Sequence, residues 1–432
     1  MKRVKIKKYF YNFNWLVIDK IIRVFGGLFI GVWVARYLGP IDFGILNYSL
    51  AFVAFFSFLS TLGLNSIVIK EVLKHEKLFE QIMGVTFYLK LLGGVFALIL
   101  GSLFLFLLNP EQNEIKMIIT ILLFGYIFQS IDTIDYALQS QIMSKYVVFS
   151  RSIAFIFSSI LKIYFIMNEY SLIYFAITIV LEMIVASFFL VTFYKKLGFA
   201  IRKWKFNLRI AMKLLKSSWP LMLSGFFIII YMKIDQVMIE SFLGMKEVGL
   251  YSVAVRLSEA WYFIPAAIIS TLFPYFINLK DLDESLYIYR IRQLITFMFW
   301  LGTLVGFMGM MFGEEAILFL YGEVYKGAYL ALAINIWAGI FISIGMVLTG
   351  IWMITYNLQI YSLIGTLIGV ILNIVGNYYL IPQYGIEGAA FSTLVTQGFG
   401  LWITPLFFKK IRIMTVVSLF SIIPVYILRK SK

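Results

Sequence analysis

Apolar residues in this chain come in long runs, each closed by a short polar connection, and the runs have the length of a membrane crossing. At 1.5 Å of rise per residue, ~20 apolar residues span the ~30 Å of a bilayer's hydrocarbon. Windows of that kind lie at 14–38, 45–69, 82–108, 116–139, 146–167 and 171–194. They recur at 217–240, 249–276, 293–312, 328–353, 359–380 and 387–408. Between the two sets runs the longest polar interruption, residues 195–216, which carries Lys195, Lys196, Arg202, Lys203, Lys205, Arg209, Lys213 and Lys216. The pattern predicts an all-α integral membrane protein of twelve transmembrane helices in two six-helix lobes. The lobes are residues 1–194 and 217–410, joined by a basic linker at 195–216. The tail, 411–432, reads as interfacial, because its apolar part is short for a crossing and contains Pro424.

The first run is unusual in carrying charge. Asp19, Lys20 and Arg23 lie inside it and Arg36 near its far end. Each such group costs about 2.5–3.5 kcal/mol at a lipid-exposed helix centre, so these side chains are expected to face protein or water. The run ends in Leu38-Gly39-Pro40-Ile41-Asp42-Phe43-Gly44, and Leu243-Gly244-Met245-Lys246-Glu247-Val248-Gly249 echoes it. Both are Leu-Gly, four residues and a Gly, closing one apolar span and opening the next. The echo predicts two similar halves.

Composition narrows the class. Hydrophobic residues make up 62% of the chain and charged residues 14%, with a mean hydropathy of +0.92, which excludes an ordinary soluble domain. There is no Cys, hence no disulfide or thiolate site, and the single His75 stands among Lys74, Glu76 and Lys77 in a polar connection. The formal net charge is +15, but its placement argues against a nucleic-acid partner. Alternating the sides of the windows puts Lys70, Lys74, Lys77, Lys145, Arg151, the linker, Lys280, Arg290, Arg292, Lys409, Lys410 and Arg412 on one face. Lys116, Lys246 and Lys326 fall on the other. By the positive-inside rule the first face is cytoplasmic, and so are both termini.

Seven basic and six acidic residues remain within the windows: Lys20, Arg23, Arg36, Lys90, Lys162, Lys233 and Arg256, with Asp19, Asp132, Asp135, Glu182, Asp235 and Glu259. None lies in the last four windows, so the polar pathway is expected from the first half and helices seven and eight, with the last four as supporting wall. Asp19 with Arg23, and Arg256 with Glu259, share helix faces and can neutralise each other. Lys20, Arg36 and Lys90 are close enough to a surface to snorkel. Lys162 and Lys233 have no opposite charge on their own helical face. Asp132, Asp135 and Glu182 could exchange protons or bind Na⁺, coupling transport to an ion gradient, or could pair with Arg23 or Lys20 across the bundle. Of the aromatics, Trp15, Trp33, Trp219, Tyr251, Trp261 and Tyr262 could stack on sugars, although packing and interface roles are commoner.

No Gly-rich phosphate loop followed by Lys-Ser/Thr, no nucleophile elbow and no metal-ligand cluster occurs, so neither an enzyme nor an ATP-driven pump is expected, and no cofactor beyond a coupling H⁺ or Na⁺. The succession ARYLGPIDFG, LNYSLAF and TLGLNSIVIKE, then KIDQVMIESFLG and VGLYSVAVRLSEAWYFIPAAIISTLFP, then LIPQYGIEGAAFSTLVTQ, covers most of the chain. It resembles the polysaccharide repeat-unit flippases of bacterial inner membranes, the Wzx type, within the multidrug/oligosaccharidyl-lipid/polysaccharide exporter superfamily.

That resemblance implies a MATE-like, two-lobed transporter around a central cavity. Its cargo would be an undecaprenyl-diphosphate-linked oligosaccharide destined for O-antigen or capsule, with a polysaccharide polymerase and a chain-length regulator as partners. By position it implies Arg23, Lys162, Lys233 and Arg256 as pyrophosphate contacts, oriented by Asp19, Asp235 and Glu259. The chemistry agrees: a diphosphate needs cations in a desolvated site, Arg as a two-toothed fork and Lys as a point charge. A multidrug/cation antiporter of the same fold would want a carboxylate-dominated cavity, whereas basic groups slightly outnumber acidic ones here. A lipid II flippase shares the lipid chemistry but typically has two more helices.

Overall fold

The computed structural model describes residues 2–108 and 113–421, with the backbone alone for 2–22, 24, 25 and 108. Its helices are α1 (Lys2–Ala54), α2 (Ser57–Thr61), α3 (Asn65–Lys74), α4 (Phe79–Leu108), α5 (Asn113–Phe128), α6 (Thr133–Ser140), α7 (Ser144–Met167) and α8 (Leu172–Lys196). They continue as α9 (Leu208–Leu243), α10 (Met245–Glu259), α11 (Phe263–Leu282), α12 (Glu284–Tyr321), α13 (Tyr329–Val347), α14 (Met353–Thr355), α15 (Gln359–Gly398) and α16 (Arg412–Ser421). Among the described residues there is no strand. That is what apolar runs must do in lipid, where each backbone N–H and C=O has to find its partner within the segment. Among the described residues ten helical stretches, from Gly26–Ala54 to Gln359–Phe407, are long and apolar enough to cross a membrane. The protein is therefore a multi-pass, all-α membrane protein.

Two of the long helices leave the helical course at a glycine. α15 has 40 residues, which would extend ~60 Å if straight. Yet Asn373 Nδ2 lies 3.3 Å from Thr393 Oγ1, twenty positions on. The reversal is at Gly385, whose φ of 65° and ψ of −145° leave the helical region, so residues 359–384 and 386–398 form the arms of a helical hairpin. α1 is interrupted in the same way at Gly39, with φ 70° and ψ 175°. Gly244 (φ 89°, ψ 177°) and Gly322 (φ 89°, ψ 172°) have nearly the same backbone, in a region open essentially to glycine alone.

Gly39 and Gly244 open the two echoing Leu-Gly-x₄-Gly motifs, and the structure brings those motifs into reciprocal contact. A Cβ added to Gly44 would collide with the Met245 carbonyl oxygen, and one added to Gly249 with the Pro40 carbonyl oxygen. The last residue of each motif thus packs on the third of the other. Gly322 opens a third turn of this geometry, Gly322-x₄-Gly327, which a Tyr rather than a Leu precedes. Tyr325 within that turn packs edge-on against Phe43 at 6.3 Å.

The chain packs as two units, Met1–Leu38 with Ile45–Lys233, and Gly39–Gly44 with Ile234–Lys432. The six-residue turn of the first half therefore belongs by its packing to the second unit. The first unit has a core of α3, α4, α6 and the start of α9, including Val68, Ile82, Ile134, Leu138, Tyr194 and Leu214. The second unit's core joins α11, α12 and α13 to the ends of the chain's last helices. There α16 docks through Met414 and Val417, and Thr415 Oγ1 donates to the Trp402 carbonyl at 2.9 Å. The described part of α16, ten residues, accounts for ~15 Å of helix; residues 422–432 of the tail lie outside the described residues.

Candidate functional site

The second unit holds one almost fully buried carboxylate among its described residues, Asp235 on α9. Its carboxylate accepts from Tyr251 Oη at 2.6 Å, from Asn377 Nδ2 at 2.7 Å and from Thr393 Oγ1 at 2.8 Å. Each donor comes from a different stretch: Tyr251 from α10, Asn377 from the first arm of α15, Thr393 from the second. The α15 hairpin is what delivers two of the three. Asn373, one turn before Asn377, accepts from Asn377 Nδ2 at 3.2 Å through Oδ1. The neighbouring Gln236 donates to Ser252 Oγ at 3.0 Å. Two buried acceptors in this cluster, Asn377 Oδ1 and Gln236 Oε1, have no hydrogen-bond partner.

The expected role of Asp235 was to orient a neighbouring cation. All three of its hydrogen-bond donors are uncharged, and among the described residues no Lys or Arg forms an ion pair with it. A carboxylate with amide and hydroxyl oxygens around it is a donor set for a hard cation or a proton, not for a soft metal. Among the described residues no group of three His, Cys, Asp or Glu side chains converges as a metal site. The expectation that the last four windows serve only as wall is corrected here: Asn373, Asn377 and Thr393 all lie in the last two. These residues are neutral, so the charge pattern of the sequence does not reveal them. Asn373 and Asn377, four apart on one face of an apolar helix, were the available signal.

Arg256 lies elsewhere in the same unit. Its guanidinium sits 5.5 Å from the centroid of Phe43, a cation–π contact. The ring is held between that group and Tyr325, which packs in turn against Tyr321 at 5.7 Å. Tyr321 is buried and its hydroxyl has no partner. Glu259, three residues on, is exposed.

The first unit holds two polar clusters. In one, Arg23 Nη1 is 3.7 Å from Glu182 Oε1, and Ser158 Oγ donates to Glu182 Oε2 at 2.6 Å. Lys162 is half-buried one turn beyond Ser158 on the same face of α7. The side chain of Asp19, expected beside Arg23, lies outside the described residues. In the other cluster Arg151 donates to Asp135 at 2.8 Å, and Gln139 donates to the second oxygen of that carboxylate at 2.8 Å. Lys90 Nζ lies 3.2 Å from Tyr136 Oη and 3.8 Å from Asp132. Lys90 does not snorkel: its side chain is 1% exposed. Each of the three expected ion-coupling carboxylates, Asp132, Asp135 and Glu182, thus has a basic partner, and among the described residues Asp235 has none. Lys233 is half-buried on α9, two residues before Asp235, and that spacing points the two in different directions.

Tyr251, a candidate for sugar stacking, is fully buried with its hydroxyl committed to Asp235. Trp261 is likewise buried, whereas Trp33 and Trp219 are exposed.

A family model described as polysaccharide biosynthesis protein matches residues 11–280. The chain belongs to this family. A curated relative, the probable flippase AglR of Haloferax volcanii, is 28% identical over 185 residues, which are 39% of this chain and 36% of the relative. The match thus spans little more than a third of that relative's length. Among solved structures, the lipid II flippase MurJ in an inward closed conformation superposes with a TM-score of 0.72 at 18% identity, covering 95% of this chain and 91% of that one. An inward-facing multidrug resistance MATE family transporter of the MOP superfamily gives a TM-score of 0.70 at 16% identity, covering 98% and 100%. At such identities the likeness establishes the fold, which is that of the MOP transporters. This member of the polysaccharide biosynthesis family thus has the fold of those membrane proteins.

Proposed function

We propose that this protein flips an undecaprenyl-diphosphate-linked oligosaccharide, a Wzx-type cargo for O-antigen or capsule assembly, from the cytoplasmic to the outer face of a bacterial inner membrane. The observation that carries the reading is the family match over residues 11–280. The likeness to a probable flippase and the basic groups within the spans support it. Arg23, Lys162, Lys233 and Arg256 are the proposed contacts for the diphosphate. Moving that headgroup through lipid would strip it of water at prohibitive cost, so it crosses within protein while the prenyl tail stays in the acyl phase. Counting both arms at the Gly39 and Gly385 turns, we read twelve crossings with both termini cytoplasmic, and alternating access as the transport cycle. A polysaccharide polymerase and a chain-length regulator are the proposed partners.

Coupling to H⁺ or Na⁺ is part of the proposal. Asp235 is its favoured seat, because Asp132, Asp135 and Glu182 have basic partners and Asp235 has only neutral ones. Reconstitution with a fluorescent undecaprenyl-diphosphate glycan tests both parts. Arg256→Ala and Lys233→Ala are each expected to slow flipping at least about tenfold, the loss of roughly one charge-assisted contact; undiminished rates in both would remove the anion site. Asp235→Asn is expected to abolish stimulation by a Na⁺ or proton gradient. The multidrug/cation antiporter is the second reading, favoured by the same uncompensated carboxylate; uptake of a cationic dye with no effect of the glycan lipid would establish it. Flipping of lipid II in preference to the oligosaccharide lipid would establish the third.

A further inference from the structure

The stretch 195–216, from the end of α8 into the start of α9, has a chemistry that the transport proposal does not use. Its eight basic residues, at 195, 196, 202, 203, 205, 209, 213 and 216, are accompanied by no acidic residue. The segment is not a loose tether. Lys205 N donates to the Glu80 carbonyl at 3.3 Å, and the Lys205 backbone packs on Gly84 of α4. Phe199 stacks on Tyr194 at 4.9 Å, and Trp204 packs on Phe87 at 5.7 Å. The linker backbone is thus fixed against the first unit while most of its charged side chains remain exposed.

The start of α9, ahead of Pro220, carries three stripes. Ala211, Leu214 and Ser218 are buried; Leu208, Met212, Leu215 and Trp219 are exposed; Arg209, Lys213 and Lys216 are exposed as well. Residues four, three and four apart share one helical face, and the basic stripe lies ~100° round from the apolar one. Leu208 is 65% exposed and Met212 66%, a large apolar surface to leave in water. It does not stand alone. Exposed Phe206, in the linker, packs edge-on against Tyr88 at 5.9 Å. Tyr88 begins the exposed apolar stripe of α4 that continues through Leu92, Phe96, Ile99 and Leu103. That stripe belongs to a membrane-spanning helix, so Phe206 marks the edge of its lipid-facing surface, with Arg202, Lys203 and Lys205 beside it.

We infer that residues 202–219 form a docking surface for anionic phospholipid. Phe206, Leu208, Met212 and Trp219 enter the acyl boundary, and Arg202, Lys203, Lys205 and Arg209 meet the phosphate headgroups. Continuity with the lipid face of α4 selects a bilayer over a protein partner, and the one-signed charge selects anionic lipid over zwitterionic. Lys213 is excluded from the headgroup set because it pairs with Glu71.

Because the chain has no cysteine, a single Met212→Cys gives one labelling position in the full-length protein. Reconstituted in nanodiscs of phosphatidylcholine with phosphatidylglycerol, a fluorophore there is expected to be quenched by nitroxide on lipid and protected from aqueous iodide. Native mass spectrometry should show bound phosphatidylglycerol retained over phosphatidylcholine. In R202Q/K203Q/K205Q/R209Q that preference should fall at least about tenfold, since each basic residue at a membrane surface contributes on the order of fivefold. Lys116→Gln and Lys246→Gln, far along the sequence, should leave it unchanged. A label open to iodide in these discs, or an anionic-lipid preference intact in the quadruple variant, would overturn the inference. Neither readout depends on the cargo.

Discussion

Asp235 is held in an apolar helix by Tyr251, Asn377 and Thr393, and each donor offsets part of the cost of taking a carboxylate out of water. Removing one leaves a buried acceptor short of a partner, so Thr393→Ala and Asn377→Ala are each expected to cost about 1–3 kcal/mol, read as lowered thermal stability in detergent. Asp235→Asn keeps the shape and should leave stability near that of the parent, which separates an ion-binding role from a purely structural one. Lys90 offers the opposite case. Its ammonium is buried beside Tyr136 and Asp132, and a desolvated ion pair is weak evidence of stabilisation. Lys90→Met, which keeps the volume, is therefore expected to be near neutral. Lys90→Ala, which opens a cavity, should destabilise by about 2–4 kcal/mol.

Among the helices, the crossing of the two Leu-Gly-x₄-Gly turns is the tightest constraint. With backbone oxygens against Gly44 and Gly249, Gly44→Ala and Gly249→Ala force main chain apart and should each cost about 1–3 kcal/mol or more. Gly345→Ala is the control, since nothing lies within 4 Å of its added methyl; a thermal scan of the three variants distinguishes crowding from a general intolerance of alanine. The contact between α3 and α9 is electrostatic instead. The Lys213 ammonium, hydrogen-bonded to Glu71, holds that carboxyl below the ordinary glutamate range. A carboxyl whose pKa falls on folding contributes stability above its unfolded pKa and loses it as pH drops through the folded value. The pair is therefore stabilising at neutral pH and not below about pH 4. Lys213 is more than half exposed, so screening keeps the effect to about 1 kcal/mol or less. Thermal stabilities of the parent and of Lys213→Met, measured down an acid series, should converge.

For the molecule as a whole, length and order of the apolar runs were enough for the class. Runs of about 20 residues must become helices in a bilayer because no other backbone state satisfies its own hydrogen bonds there. The twofold echo of Leu-Gly-x₄-Gly was visible as letters, and the Asp, Glu, Lys and Arg within the runs could be found by inspection. Which of them meet was not visible. Arg23 and Glu182 are joined across helices far apart in sequence, Arg151 and Asp135 across two consecutive ones, and Asp235 owes two of its three donors to a reversal at a single glycine. Lys90 could not be recognised as buried from its place about three turns into α4, because burial depends on neighbours that arrive from α6. The reach of the echo was also hidden: that each turn packs on the other is a fact of close approach, which residue identity permits but does not specify. Periodicity and hydropathy act locally along the chain, so they settle what kind of element forms and where it ends. Partners for buried polar groups are chosen among side chains brought close by folding, and that choice is made in three dimensions.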